Sequence, residues 1–172
     1  MNLVGISINH KTSPLDLREA LHLNHDEIVE LVPRLKSSIF SEGVVISTCN
    51  RTEIFGFPKG QEINLPPVIN ELIQFKPVNG IQQEHFLKFF SCGAVKHLFS
   101  VASGIDSMII GDSQILGQVK EAFEISEDLN FTDTTLRKIF DTAIKTGKRA
   151  IKEPKIGEGA VTVRYAAVQV VE

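Results

Sequence analysis

The chain has 172 residues, of which 42% are hydrophobic and 23% are charged, and its formal net charge is −3. This composition is typical of a soluble globular protein with a substantial core, and the slight negative charge argues against generic nucleic-acid binding. No apolar run approaches the ~20 residues that a membrane-spanning helix needs, and the first residues lack a signal-peptide pattern, so we expect a cytoplasmic protein with no membrane contact.

The first half of the chain alternates between strand and helix patterns. In chain order, hydrophobic periodicity predicts a strand at 3–8, a short helix at 13–21, a longer helix at 24–39, a hairpin at 44–57, a helix at 68–75 and a strand at 86–90. Ser13 is the predicted N-cap of the short helix, and Asn24 with Glu27 forms a capping-box pattern for the next one. Without the short helix the order is β-α-β-β-α-β, which predicts an α+β protein with a ferredoxin-like sandwich.

The second half of the chain has only helical periodicity. Apolar faces recur within residues 94–102, 115–123 and 136–151. The last of these is the most regular, and the stretch 134–155 carries seven basic residues against two acidic ones. We therefore expect one domain at 1–158, made of a βαββαβ part at 1–92 and a helical part at 93–158. Residues 159–172 are expected to begin the connection to a further domain.

Cys49 is the first candidate functional residue, because it lies in a polar turn between two strands. The turn, STCNRTE at 47–53, surrounds the thiol with groups that can stabilise a thiolate. If the chain stays extended, Arg51 lies on the same face as Cys49, while Thr48 and Asn50 point the other way. A nucleophile and a small structural residue remain equally good interpretations of Cys49. Cys92, between apolar residues, is expected to be a buried small hydrophobe.

Polar residues in the second half supply further candidates. His97 lies beside an apolar helix face, where it is either a buried neutral imidazole or a proton shuttle. Asp112 or Ser113 is expected to cap the following helix, on which Gln114 and Gln118 share one face. The cysteines and histidines lack the paired spacing of a metal site, and the sequence contains neither a dinucleotide-binding glycine motif nor a P-loop.

Five sequence blocks resemble the N-terminal catalytic part of the glutamyl-tRNA reductase family. They are GISINHKTSP at 5–14, STCNRTE at 47–53, HLFSVASGIDS at 97–107, GDSQILGQVK at 111–120, and GKR at 147–149 leading to GAV at 159–161. The blocks span most of the chain and occur in the family's order.

The resemblance implies a chemistry for these residues. In the family, the cysteine matching Cys49 attacks the ester carbonyl of glutamate on tRNA, and NADPH reduces the resulting thioester to glutamate-1-semialdehyde for tetrapyrrole and haem synthesis. The histidine matching His97 is implied to be a general acid or base. The implied glutamate pocket consists of Thr48, Asn50, Arg51, Ser107, Asp112, Ser113, Gln114 and Gln118. Arg51 is the expected partner of the substrate's side-chain carboxylate, and Asp112 stands where the family usually has glutamate.

The resemblance also implies partners and a limit. Expected partners are glutamyl-tRNA, glutamate-1-semialdehyde aminotransferase and a second copy of the full-length enzyme, and no metal is expected. The family's NADPH-binding domain and dimerisation helix would lie beyond Glu172, so this chain alone is expected to acylate or hydrolyse but not to reduce. The alternatives are a non-catalytic ferredoxin-like RNA-binding module and, less favoured, a free-standing cysteine hydrolase.

Overall fold

The computed structural model describes residues 2–60 and 65–153, which form four strands and six α-helices. The elements are β1 Val4–Asn9, α1 Leu15–Ala20, α2 His25–Ser38, β2 Phe40–Thr48, β3 Arg51–Pro58, α3 Pro66–Phe75, β4 Leu87–Phe90, α4 Cys92–Ala102, α5 Gln114–Asp128 and α6 Thr134–Lys152. Each helix and strand predicted from periodicity is confirmed, with small shifts at its ends. The capping box of Asn24 and Glu27 at the start of α2 is also confirmed.

The strands form one sheet in the order β2-β3-β1-β4, and every pair of neighbours is antiparallel. The fold is therefore a mixture of helices and an antiparallel sheet, as expected. Antiparallel neighbours place Ser7 opposite Glu53 and Asn9 opposite Arg51. This register brings polar side chains of β1 and β3 together at one end of the sheet, which is the end that carries the hairpin turn.

Helices cover both faces of the sheet. Strand side chains alternate between faces, so Ile54 packs in a cluster with residues of α2 and α3, while Phe55 packs in a second cluster with residues of α4, α5 and α6. The helical part thus shares a core with the sheet. The division at residue 92 stays a prediction, and the predicted connection at 159–172 lies outside the described residues.

Helix α6 packs unusually close to α4 at Gly147. A Cβ placed on this buried glycine would lie 2.3 Å from the carbonyl oxygen of Ala102. Only a residue without a side chain lets the two backbones approach this closely. None of the helices within residues 2–60 and 65–153 combines the length and apolar content needed to cross a membrane.

Two local predictions are wrong. Ser13 does not cap α1: the extended Pro14 is the N-cap residue, and the Ser13 hydroxyl donates instead to the carbonyl oxygen of Asn9, at 3.4 Å. Cys92 is not buried. It begins α4 at the exposed edge strand β4, and the apolar face of α4 starts only at Ala94.

Candidate functional site

Cys49 lies in the two-residue turn that joins β2 to β3. Thr48 pairs with Arg51, which leaves only Cys49 and Asn50 in the loop, and neither has a positive φ. The thiol is free and exposed. Because the chain turns here instead of staying extended, the predicted alternation of faces is wrong: all four residues from Thr48 to Arg51 lie on the wall of one cavity.

This cavity, of about 780 Å³, brings together most of the predicted site residues. Its volume lies within the usual range for small-molecule sites. The predicted residues on its wall are Thr48, Cys49, Asn50, Arg51, Ser107, Asp112, Gln114 and Gln118. Ser113 and His97 are not on the wall. Residues separated by about 60 positions in the sequence therefore meet around the thiol.

The loop between α4 and α5 forms another part of the cavity wall. Gly104 and Gly111 have φ of +70° and +85°, and the Gly111 N–H donates to the Gly104 carbonyl oxygen at 2.9 Å. These left-handed glycines fold the loop back on itself, so that Ser107 and Asp112 reach the cavity. Asp112 Oδ1 accepts from the Gln114 N–H at 3.0 Å.

Of the two candidate caps for α5, the structure thus favours Asp112. Ser113 occupies the N-cap position but makes no side-chain capping bond there. Gln114 and Gln118, one helical turn apart, both face the cavity and not only solvent.

Glu53 organises a polar network behind the cavity. This fully buried carboxylate accepts three bonds at Oε1, from Ser7 Oγ at 2.7 Å, Arg51 Nη1 at 2.9 Å and His97 Nε2 at 3.0 Å. Burial alone would raise the pKa of Glu53, but Arg51, His97 and Ser7 outweigh it and hold that pKa below its ordinary value. Glu53 therefore stays ionised at neutral pH.

Asp106 extends this network to the cavity loop. Its carboxylate binds Lys11, and its Oδ2 lies 3.3 Å from Arg51 Nη1, while its carbonyl oxygen accepts from Arg51 Nη2 at 2.5 Å. Burial alone would raise the pKa of Asp106, but the hydrogen bond from Lys11 and the charge of Arg51 outweigh burial. The pKa of Asp106 is therefore lowered from its ordinary value. Arg51 is thus fixed between β3 and the loop.

His97 belongs to this network and not to the cavity wall. The side chain is 8% exposed, and its ring stacks on Phe89 with centroids 3.9 Å apart. Nε2 donates to Glu53. These contacts agree with the buried-imidazole interpretation, while the role as general acid or base stays a prediction.

Sequence reasoning missed several residues of the site. The missed wall residues are Leu15, Arg18, Glu19, Met108, Ile109 and Ile115. Helix α1 is too short for a reliable periodicity, so nothing in the sequence marked Arg18 as buried. The burial of Glu53 could have been predicted from the sequence. Side chains alternate along a strand, so Glu53 and Arg51 lie on the same face of β3 as the apolar Phe55.

The geometry suits covalent attack on a polar acyl group. An exposed thiol lies on the wall of a cavity that is also lined by two buried guanidinium groups and by amide and hydroxyl groups. Within the described ranges, histidine, cysteine and carboxylate side chains form no cluster suited to a metal ion.

Comparisons with known proteins agree with one another. The family model described as "Glutamyl-tRNAGlu reductase, N-terminal domain" matches residues 6–154. The chain is 40% identical over its whole length to the glutamyl-tRNA reductases of Chlorobaculum parvum and Chlorobium phaeovibrioides, and it covers 41% of each. The chain thus spans about two fifths of the length of the curated relatives that it matches.

A solved structure shows the same likeness in three dimensions. The structure titled "Glutamyl-tRNA Reductase from Methanopyrus kandleri" matches 99% of this chain with a TM-score of 0.73 and 32% sequence identity. The match covers 39% of that protein.

Proposed function

This chain belongs to the glutamyl-tRNA reductase family, whose N-terminal domain it matches, and from that premise we propose that it takes the glutamyl group from glutamyl-tRNA as a thioester on Cys49. The observation that carries the proposal is the cavity, which gathers Cys49 and the polar residues of the two distant sequence blocks around one thiol. The same resemblance suggests that the thioester is an intermediate of a reductase in tetrapyrrole synthesis.

The proposed reaction is an acyl transfer. The Cys49 thiol loses its proton to solvent, which reaches the exposed sulfur. The thiolate forms a C–S bond to the ester carbonyl carbon, and the tetrahedral intermediate collapses by breaking the bond to the ribose oxygen, which takes up a proton. The carbonyl carbon keeps its oxidation state in this step.

Glu53 and His97 act indirectly in this scheme. Glu53 holds both Arg51 and the His97 ring, and none of its contacts reaches Cys49. We assign His97 the task of keeping Glu53 in place, so that Arg51 stays aligned on the cavity wall. If His97 instead transfers a proton during acylation, His97→Gln, which can still donate to Glu53, should lose activity as severely as His97→Ala.

NADPH is the hydride donor that the family implies, and it would reduce a thioester to an aldehyde. The residues described here do not fit it. No G-x-G-x-x-G follows a strand in the sequence, and Arg51, a wall cation, is already paired with two carboxylates. We therefore derive no reduction step within this chain.

A mass measurement of Cys49 tests the proposed function. After incubation with glutamyl-tRNA, the chain should gain one glutamyl group, and the adduct should be absent from Cys49→Ser. Cys92→Ser is the matched control, because Cys92 is the second free and exposed cysteine. An unmodified wild-type chain, or an adduct that depends on Cys92, contradicts the proposal.

The alternative of a non-catalytic RNA-binding module has less support. Ferredoxin-like RNA-binding domains present bases to an open sheet face with stacking aromatic residues. Here α2 and α3 cover one face and α4 to α6 cover the other. A free sheet surface for RNA is therefore not available among the described residues.

The finer fold and setting are also proposals. We propose that the βαββαβ part is ferredoxin-like, which the antiparallel strand order β2-β3-β1-β4 supports. By family resemblance we further propose a cytoplasmic enzyme that forms a homodimer and passes its product to glutamate-1-semialdehyde aminotransferase. Co-purification of the full-length protein with that aminotransferase tests the proposed interaction. The mass of the full-length protein in solution tests the proposed homodimer.

A further inference from the structure

Helix α6 differs in charge from the rest of the chain. Of the 18 basic and 21 acidic residues in the sequence, α6 holds six basic residues and one acidic residue, which leaves 12 basic and 20 acidic residues elsewhere. The helix is therefore strongly positive on an otherwise negative protein. Such a separation of charge creates a local field that attracts polyanions.

Most of this positive charge lies on one exposed face of α6. Successive residues of an α-helix are rotated by about 100°, so four basic side chains lie within an arc of about 60°. These four, which we call the basic stripe, are Lys138, Lys145, Arg149 and Lys152, and all are exposed. With a rise of ~1.5 Å per residue, the stripe extends over about 21 Å. Asp141, the one acidic residue of α6, lies beside it.

The opposite face of α6 is buried. It consists of Leu136, Phe140, Ala143, Ile144 and Gly147. The basic stripe therefore points directly away from the core. Because the core already uses the apolar face of the helix, α6 cannot insert that face into a membrane surface.

The basic stripe is poorly neutralised by carboxylates. Arg149 lies 3.5 Å from Glu153, but both side chains are largely exposed, so this pair is weak. In the part of the chain that the structure describes, none of the ion pairs includes Lys138, Lys145 or Lys152. Lys145 and Arg149 are one helical turn apart, a spacing at which like charges repel. The helix macrodipole favours basic residues only in the last turn, so it does not account for Lys138 and Lys145.

The buried face of α6 contacts the loop that borders the cavity. A Cβ on Gly147 would lie 2.3 Å from the Ala102 carbonyl oxygen and 2.9 Å from a Leu116 methyl. Ala102 ends α4 and Leu116 lies in the first turn of α5, so both stand at the ends of the cavity loop, 103–113. The stripe is on the other side of the same helix. About one helix thickness, ~10–12 Å, therefore separates it from this loop.

We propose that the basic stripe binds the phosphodiester backbone of the tRNA while the acyl ester of the same molecule reaches Cys49. The inference rests on the proposed function for the identity of the polyanion. The ester joins the acyl group to the terminal ribose, so the backbone must leave the cavity and continue over the protein surface. Helices cover both faces of the sheet, whereas the stripe is an exposed positive surface near the cavity loop. Phosphate contacts of this kind position a nucleic acid without reading its sequence.

Salt-dependent binding of uncharged tRNA tests the inference without any acylation. The stripe variant combines Lys138→Gln, Lys145→Gln and Lys152→Gln. Each lost phosphate contact should reduce the slope of log affinity against log salt concentration by about 1, so the slope should fall by about 3. The affinity near 0.1 M salt should fall at least about tenfold. The loss should be equal for glutamate tRNA and for a tRNA of another amino acid, because both have the same backbone.

Two control variants make this test specific. Lys59→Gln, Lys88→Gln and Lys120→Gln together remove the same charge from exposed positions outside α6, and this outside variant should bind tRNA within about twofold of wild type. Replacing the three stripe lysines with arginine keeps the charge and should keep the wild-type slope. The inference is overturned if the outside variant loses as much affinity as the stripe variant, because then only net charge matters. It is also overturned if the stripe variant keeps the wild-type slope, or if the wild-type chain does not bind tRNA.

Binding of anionic vesicles distinguishes RNA from a membrane surface. The probe is a vesicle of phosphatidylcholine and phosphatidylserine. We expect no difference between wild type and the stripe variant with these vesicles. Binding of vesicles that depends on the stripe, without binding of tRNA that depends on it, overturns the inference.

Acylation kinetics separate this inference from the proposed function. With glutamyl-tRNA, the stripe variant should need about tenfold more substrate to reach half of its maximal rate of Cys49 acylation, and the maximal rate should stay within about twofold of wild type. With L-glutamate α-benzyl ester, which carries no RNA, the two proteins should react equally. A maximal rate that falls with both substrates indicates a structural role and overturns the inference. If Cys49 is never acylated, the proposed function fails, and the salt dependence of tRNA binding still decides the inference.

Discussion

Gly147→Ala should destabilise the chain, although alanine is the better helix former. The added Cβ would meet the Ala102 carbonyl oxygen at 2.3 Å and a Leu116 methyl at 2.9 Å. The oxygen belongs to the backbone of α4 and cannot rotate away, so the two helices must separate. Overpacking of this kind costs about 3 kcal/mol, and the gain in helix propensity returns about 1 kcal/mol, which leaves a net loss of about 2 kcal/mol.

Gly117→Ala is the matched control for this prediction. Gly117 also lies within a helix, but a Cβ there meets nothing within 4 Å. Only the propensity gain applies, so this variant should gain about 0.5–1 kcal/mol. Urea unfolding followed by circular dichroism measures both free energies of unfolding. Equal stabilities for the two variants would refute the close helix contact.

Three further predictions concern the thiols and the buried network. Iodoacetamide should alkylate both Cys49 and Cys92 in the native chain, since both are exposed; protection of Cys92, measured by mass, would contradict its placement. Glu53→Gln should lower the free energy of unfolding by about 3–5 kcal/mol, because Arg51 loses its closest buried counter-ion; a loss below about 1 kcal/mol would mean that Asp106 alone suffices. The pKa values of Glu53 and Asp106 are lowered in the folded chain, so the unfolded chain binds more protons in acid. Their stabilisation should be present above about pH 4.3 and be lost as the pH falls through the folded pKa values, and Glu53→Gln should flatten that acid dependence in unfolding experiments.

The sequence predicted the parts of the fold that depend on local patterns. Alternation and helical periodicity located every described strand and α-helix, and the capping pattern of Asn24 located the start of α2. The candidate thiol was also visible, because Cys49 stands among polar residues between two apolar runs. These features depend on residues that are near one another in the chain.

The predictions that were wrong or missing depend on local turn geometry or on long-range contacts. Cys49 lies in a two-residue turn, where side chains no longer alternate between faces. The prediction for Cys49 and Arg51 assumed an extended strand and therefore failed. Arg18 is buried on a six-residue helix that shares the cavity wall with the hairpin turn, and so short a helix carries no periodic signal of this burial. The contacts of Arg51 with Asp106 join positions 55 residues apart. Charge pairing across such a separation cannot be read from one sequence.

Strand β3 also has a consequence for how the chain unfolds. Ile54 and Phe55, adjacent in sequence, are fully buried in different hydrophobic clusters on opposite faces of the sheet. Neither cluster can lose this strand without exposing the other. The sheet with its helices on both sides should therefore melt in a single two-state transition. A ligand bound in the cavity should in turn slow hydrogen exchange in α2 and α3, which lie on the far face of the sheet, as much as in α4 to α6.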